Sequence, residues 1–320
     1  MNAQILTGLI AALGLLANLA GVGGASAQEA PMGHAEHADH GHHHADFVSD
    51  RLHVRVDGEA GGRDIILIPG LSSSPEVWQG TVEHLGAGWR VHRIHIQGFA
   101  GAPAEGNATG PVAAPVAEEI ARYITENRLD HPIVVGHSMG GTIGLMLAAR
   151  HPDLVGKLMV VDMIPFMGAM FTQPGQPPVT PESVAPIADQ IHEGMINGPL
   201  DAYQARAAQT INTMIKTEAA RPGPLHDTET SDRATSANAY RELIVTDLRP
   251  ELSKITAPTE VVYAVFNAPG MTPAVTDGIY ASLFQTLAGV TLKRVDDSWH
   301  FIMLDQPAAF YADLDAFVAP

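Results

Sequence analysis

From residue 51 onward, apolar residues fall in short unbroken runs separated by longer amphipathic stretches. Asp64–Pro69 (DIILIP), Pro132–Val135, Lys157–Val161 and Glu260–Phe266 lack the polar alternation of a half-exposed strand. Each therefore predicts a strand buried on both faces. Leu52–Val56 alternates and predicts an early strand that ends at the turn Asp57-Gly58, and Trp89–Ile96 and Thr291–Val295 complete the set. Helical periodicity fills the gaps at Pro75–Leu85, Val112–Asn127, Met139–Arg150, Ala274–Leu287 and Ala308–Val318. Strands alternating with helices imply right-handed crossovers, and so an α/β fold: a mostly parallel twisted sheet with helices on both faces. Residues 164–252 break the alternation. A Pro-, Gly- and Met-rich loop over 165–181 leads into helical patterns at Glu182–Asn197, Leu200–Glu218 and Thr228–Asp247. The expected organisation is a core of residues 48–163 and 253–320, interrupted by a helical cap at 164–252.

The N-terminus differs in character. Residues 1–27 carry no charged side chain, Ile5–Val22 is almost wholly apolar, and Ala25-Ser26-Ala27 precedes Gln28. This predicts a signal peptide at 1–27 and an exported, periplasmic or secreted protein. Met1–Gln4 lacks the usual Lys or Arg, and an uncleaved membrane anchor is the alternative. Residues 28–47 form a polar tract holding His34, His37, His40, His42, His43 and His44. Imidazoles at this density bind Zn, Cu or Ni. No neighbouring pattern sets a coordination geometry, so the tract reads as a disordered linker and no metal site is assigned.

Composition narrows the possible functions. Apolar residues make up 46% and charged residues 17% of the chain, which excludes global disorder. A net charge of -17 argues against nucleic acid and anionic membrane surfaces as partners, because both need a positive footprint. The chain has no cysteine, which removes disulfides, thiol nucleophiles and thiolate metal sites together.

The chemistry concentrates in two places. Strand Pro132–Val135 runs into Gly136-His137-Ser138-Met139-Gly140-Gly141 and then a helix. A serine on so sharp a turn needs small residues two positions to either side. The turn would lift Ser138 above the sheet at a helix N-terminus, where negative charge is stabilised. A serine nucleophile needs a base, and His300 follows the last strand, in a loop at the sheet edge where ligands bind in such folds. His137, beside the serine, reads as a packing or hydrogen-bonding residue.

With these motifs, the chain resembles the α/β-hydrolases of the cap-bearing esterase, lactonase and C–C hydrolase type. The resemblance covers about residues 50–320. It rests on Ile68-Pro69-Gly70-Leu71, the GHSMGG turn, Val160-Val161-Asp162 and the ending His300-Phe301-Ile302-Met303-Leu304-Asp305-Gln306-Pro307. It implies Ser138 as nucleophile, His300 as general base and then acid, an oxyanion hole from the amides of Leu71 (less favourably Ser72) and Met139, and no cofactor. The family's usual His-Gly is Pro69-Gly70 here, and Pro269 stands where the family usually places its acid. The candidates left for that role are Asp162, then Asn267, then Asp277.

Leu71, Met139, Met163, Phe166, Met167, Met170, Phe171 and Trp299 are the expected apolar lining, with Trp299, Met163 and Phe166 the foremost substrate contacts. No Arg or Lys stands near the motifs, which favours a small apolar ester, thioester or lactone over a strongly anionic substrate. The alternatives are C–C bond hydrolysis on the same scaffold, and a catalytically silent binding protein with a metal-binding His tract.

Overall fold

The computed structural model describes residues 47–173 and 175–319. The expected signal peptide and the histidine tract at 34–44 lie outside the described residues. Seven strands form one sheet: β1 (Leu52–Gly58), β2 (Arg63–Ile68), β3 (Trp89–Ile96), β4 (Ile133–His137), β5 (Lys157–Val161), β6 (Thr259–Tyr263) and β7 (Thr291–Arg294). Their spatial order is β1-β3-β2-β4-β5-β6-β7. Only β1 runs antiparallel, against β3.

The unbroken apolar runs have a two-sided explanation. Within each central strand, successive side chains enter opposite cores. Ile66, Ile68, Val134, Leu158, Val160 and Val261 face one core, shared with α2 (Ala113–Glu126) and α3 (Met139–Arg150). Ile65, Leu67, Val135, Met159, Val161 and Val262 face the other. That second core is closed by α1 (Gln79–Leu85) and by α10 (Pro307–Val318), which follows the short α9 (Ile302–Asp305). Both faces are covered, so neither needs polar residues.

Between β5 and β6 lie α4 (Pro181–Asn197), α5 (Leu200–Met214), α6 (Pro222–Thr230) and α7 (Arg233–Val245). The single helix expected at 228–247 is two helices. Asp232 takes an extended conformation at the break, and its carboxylate accepts hydrogen bonds from the Thr235 amide at 2.7 Å and the Thr235 hydroxyl at 2.8 Å. This cap starts α7 afresh. Helix α6 starts at Pro222-Gly223-Pro224, outside the expected helical patterns, and proline in a first turn loses no intrahelical bond.

One carboxylate ties this helical segment to the sheet domain. Glu242 of α7 accepts from the amides of Val112 (2.6 Å), Ala113 (2.7 Å) and Ala114 (2.9 Å), the otherwise unpaired donors at the start of α2. The helix dipole adds to the attraction. Helix α8 (Pro273–Leu283) packs Tyr280 and the following Phe284 under β6. No helix among the described residues is long and apolar enough to cross a membrane.

Candidate active site

Ser138 sits between β4 and α3 with φ 53° and ψ -122°, a conformation rare for a residue with a side chain. The flanking glycines leave no freedom. A Cβ at Gly136 would lie 2.1 Å from the Gly140 carbonyl oxygen, and one at Gly140 would lie 2.2 Å from that of Ile68. The turn is anchored by the Ser138 amide donating to Val161 O at 2.9 Å and the Gly141 amide donating to Ser138 O at 2.7 Å.

Asp162 ends the neighbouring strand in a similar way, with φ 50° and its amide donating to Val262 O at 2.8 Å. Its carboxylate is buried and triply bonded. Oδ2 accepts from His300 Nδ1 at 2.7 Å, and Oδ1 accepts from the Ala264 amide at 3.0 Å and the Tyr280 hydroxyl at 3.2 Å. Burial, and then the Asp162 charge, push the Tyr280 phenol well above its ordinary value, so it remains a donor. The carboxylate thereby holds the His300 proton on Nδ1 and leaves Nε2 as an acceptor.

The other two acid candidates are engaged elsewhere. Asp277 accepts from the Tyr263 hydroxyl at 2.8 Å and pairs with Arg294, while the Asn267 side-chain amide donates to Thr213 O at 3.0 Å.

Ser138, Asp162, His300, Leu71 and Trp299 line one cavity of about 140 Å³ at the C-terminal edge of the sheet. That is about the size of a void that accepts benzene. No hydrogen bond joins Ser138 and His300 in this structure; such bonds are often long in unliganded sites and tighten around substrate. The Leu71 amide has no hydrogen-bond partner among the described residues. The Met139 amide begins α3, where no intrahelical acceptor exists. Both are available to an oxyanion.

His137 is fully buried, with Nε2 donating to the His300 carbonyl at 3.0 Å and its ring 4.6 Å from that of Phe301. Burial, reinforced by nearby His300, holds its pKa well below the ordinary value, so it stays neutral and fixes the backbone that carries His300.

Two residues with roles here carry no chemical signature in sequence. Tyr280 emerges only as part of a helical apolar pattern. Asp305 belongs to the ending that resembles the family, but its task is structural. It accepts from the amides of Trp299 (3.0 Å), Lys216 (3.1 Å) and Thr217 (2.8 Å), joining the His300 loop to the segment after α5.

The expected lining needs correction. Leu71, Met163, Met167, Met170 and Trp299 face the cavity, whereas Met139, Phe166 and Phe171 do not. Phe166 is wholly buried, with the Arg249 guanidinium 4.7 Å from its ring centre. It lies in extended backbone just before the short helical turn that begins at Met167. A cation also lines the cavity: Arg206, delivered by α5 from a distant part of the chain. Among the described residues, no cluster of three His, Cys, Asp or Glu could hold a metal ion.

Comparison with known proteins agrees with this architecture. A family profile described as alpha/beta hydrolase fold matches residues 65–307. A pimeloyl-[acyl-carrier protein] methyl ester esterase of Vibrio cholerae is 29% identical over 228 residues, 70% of this chain and 82% of that protein. One from Aromatoleum aromaticum is 25% identical over 255 residues, 76% of this chain and 93% of that protein. Among solved structures, a hydrolase from Pseudomonas aeruginosa superposes with a TM-score of 0.68 at 18% identity, covering 84% of this chain and 94% of that one. The enol-lactonase from Burkholderia xenovorans gives 0.66 at 20% identity, covering 83% and 96%. With its sheet order, its serine turn and a profile match over most of its length, the chain belongs to the alpha/beta hydrolase fold family of enzymes.

Proposed function

We propose that the protein hydrolyses a small carboxylic ester, thioester or lactone through an acyl-serine intermediate. The observation that carries this reading is the 2.7 Å bond from His300 Nδ1 to Asp162, on the same cavity as a serine held in a strained turn. Ser138 Oγ attacks the carbonyl carbon while His300 Nε2 takes its proton. Asp162 orients the ring and stabilises the imidazolium. The amides of Leu71 and Met139 hold the oxyanion, each worth roughly 3 kcal/mol in sites of this kind. His300 then gives its proton to the departing oxygen or sulfur. Water, deprotonated by the same nitrogen, attacks the acyl carbon and releases the acid with Ser138 restored.

The curated relatives named as methyl ester esterases support an ester over a diketone-like substrate. The methionines on the cavity wall suit an adaptable apolar contact. We place the activity outside the cytoplasm on the strength of the apolar run Ile5–Val22 and the Ala25-Ser26-Ala27 site. N-terminal sequencing of the mature protein, with Gln28 as its first residue, tests this.

The test of the chemistry is covalent labelling by a fluorophosphonate, with turnover of short p-nitrophenyl esters measured in parallel. Labelling and turnover that both vanish in Ser138→Ala support the reading. A folded wild-type protein that neither labels nor turns over any short ester overturns it and favours the catalytically silent binding protein.

A further inference from the structure

Helix α5 roofs the cavity with one face. Tyr203, Arg206, Ala207, Thr210, Ile211 and Met214 all line it, at the three- and four-residue spacing of a single helical stripe. Arg206 stands within that stripe and is the only Lys or Arg among the lining residues. The guanidiniums of Arg221, Arg233, Arg241 and Arg249, on or near the same helical segment, are spent on protein acceptors. The guanidinium of Arg206 makes no ion pair or hydrogen bond among the described residues. The one carboxylate among the lining residues, Asp162, is already engaged by His300, Ala264 and Tyr280.

The cavity wall also carries polar groups besides Arg206. Ser72 and Ser236 share a hydrogen bond of 2.8 Å, Tyr203 is bonded to Ser236, and all three line the cavity. Met163, Met167, Met170 and Leu243 supply an apolar wall. A half-buried arginine with its fork unspent is built for a planar, bidentate anion. In a protein of net charge -17, bulk electrostatics repel such a ligand, so a local cation on the cavity wall has to provide the recognition. The small cavity calls for a short spacer between that anion and the carbonyl at Ser138.

We propose that Arg206 binds a carboxylate at the far end of the substrate's acyl chain, so that the substrate class is a monoester of a short dicarboxylic acid. This rests on the hydrolytic reading above and replaces its wholly apolar substrate with one that is apolar in the middle and anionic at the tip.

The experiment compares monomethyl glutarate with methyl pentanoate in wild type, Arg206→Met and Arg206→Lys, following methanol release. The ratio of kcat/KM for the anionic over the neutral ester is expected to fall at least tenfold in Arg206→Met, mainly through KM, and less in Arg206→Lys. In parallel, calorimetry measures glutarate binding to Ser138→Ala and to Ser138→Ala/Arg206→Met, which needs no turnover. At least tenfold weaker binding in the double variant supports the proposal. An unchanged ester ratio, or equal glutarate binding, overturns it. Arginine-dependent glutarate binding in a protein that hydrolyses neither ester would keep the carboxylate site and sink the hydrolytic reading. Hydrolysis of methyl pentanoate without glutarate binding would do the reverse.

Discussion

Replacing Asp162 by asparagine tests the site most sharply, because the structure dictates which way the new amide must point. In the native site Oδ1 faces the Ala264 amide at 3.0 Å, a group that can only donate. The asparagine oxygen must therefore occupy the Oδ1 position, where it also accepts from the Tyr280 hydroxyl as the native carboxylate does. The amide NH2 is left facing His300 Nδ1, where the native carboxylate accepts at 2.7 Å. Two donors cannot share that contact, so the imidazole moves its proton to Nε2, the nitrogen that has to accept from Ser138. The base is present but in the wrong tautomer. In a serine hydrolase this exchange costs roughly four orders of magnitude in kcat, or about 5 kcal/mol of barrier. The assay is kcat on a p-nitrophenyl ester together with the rate of fluorophosphonate labelling, after circular dichroism has shown the variant folded. Both rates are expected to fall together while KM changes little. A loss below tenfold would refute the orienting role of Asp162 and the tautomer argument with it.

Other consequences are equally open to measurement. Glu242→Gln leaves an NH2 against one of three helix-start amides and removes the charge that attracts them, so unfolding should cost about 2–3 kcal/mol less, read from the denaturant midpoint; an unchanged midpoint contradicts the tether. Gly140→Ala drives a methyl to within 2.2 Å of the Ile68 carbonyl oxygen, so the purified variant should lose labelling entirely, and full labelling would mean that the turn is not sterically closed. Burial would raise the Asp64 pKa, but hydrogen bonds from His92 and Arg90 outweigh it and hold the group at about 2 against an ordinary 3.8. A depressed carboxylate contributes above its unfolded value and loses that contribution as pH falls. About 2 kcal/mol of stability should therefore disappear between roughly pH 4 and pH 2. Asp64→Asn should flatten that part of the stability curve, and an unaltered acid limb would remove Asp64 from the account.

Each feature readable from the chain alone obeys a rule that acts over a few residues. Strands β2, β4, β5 and β6 announce themselves because a sheet covered on both sides favours apolar residues at successive positions, and each strand carries such a run. Ser138 is visible because steric closure at its turn acts within five residues. His300 stands out from its place after the last strand. The rest depends on which distant segments meet. Asp162, Asn267 and Asp277 all lie near strand ends or in the loops and helix that follow, and only the adjacency of β5 and β6, with Tyr280 beneath them, puts one carboxylate against an imidazole 138 positions away. Phe166 and Met167 are chemically similar neighbours, yet of the two only Met167 lines the cavity. Arg206 is far in sequence from every motif, and reaches the cavity because α5 folds back across the sheet edge. Local sterics and burial act between chain neighbours and leave their mark in composition and spacing. The juxtaposition of charges and hydrogen-bonding groups arises from sheet order and helix docking, which join residues that share no sequence neighbourhood.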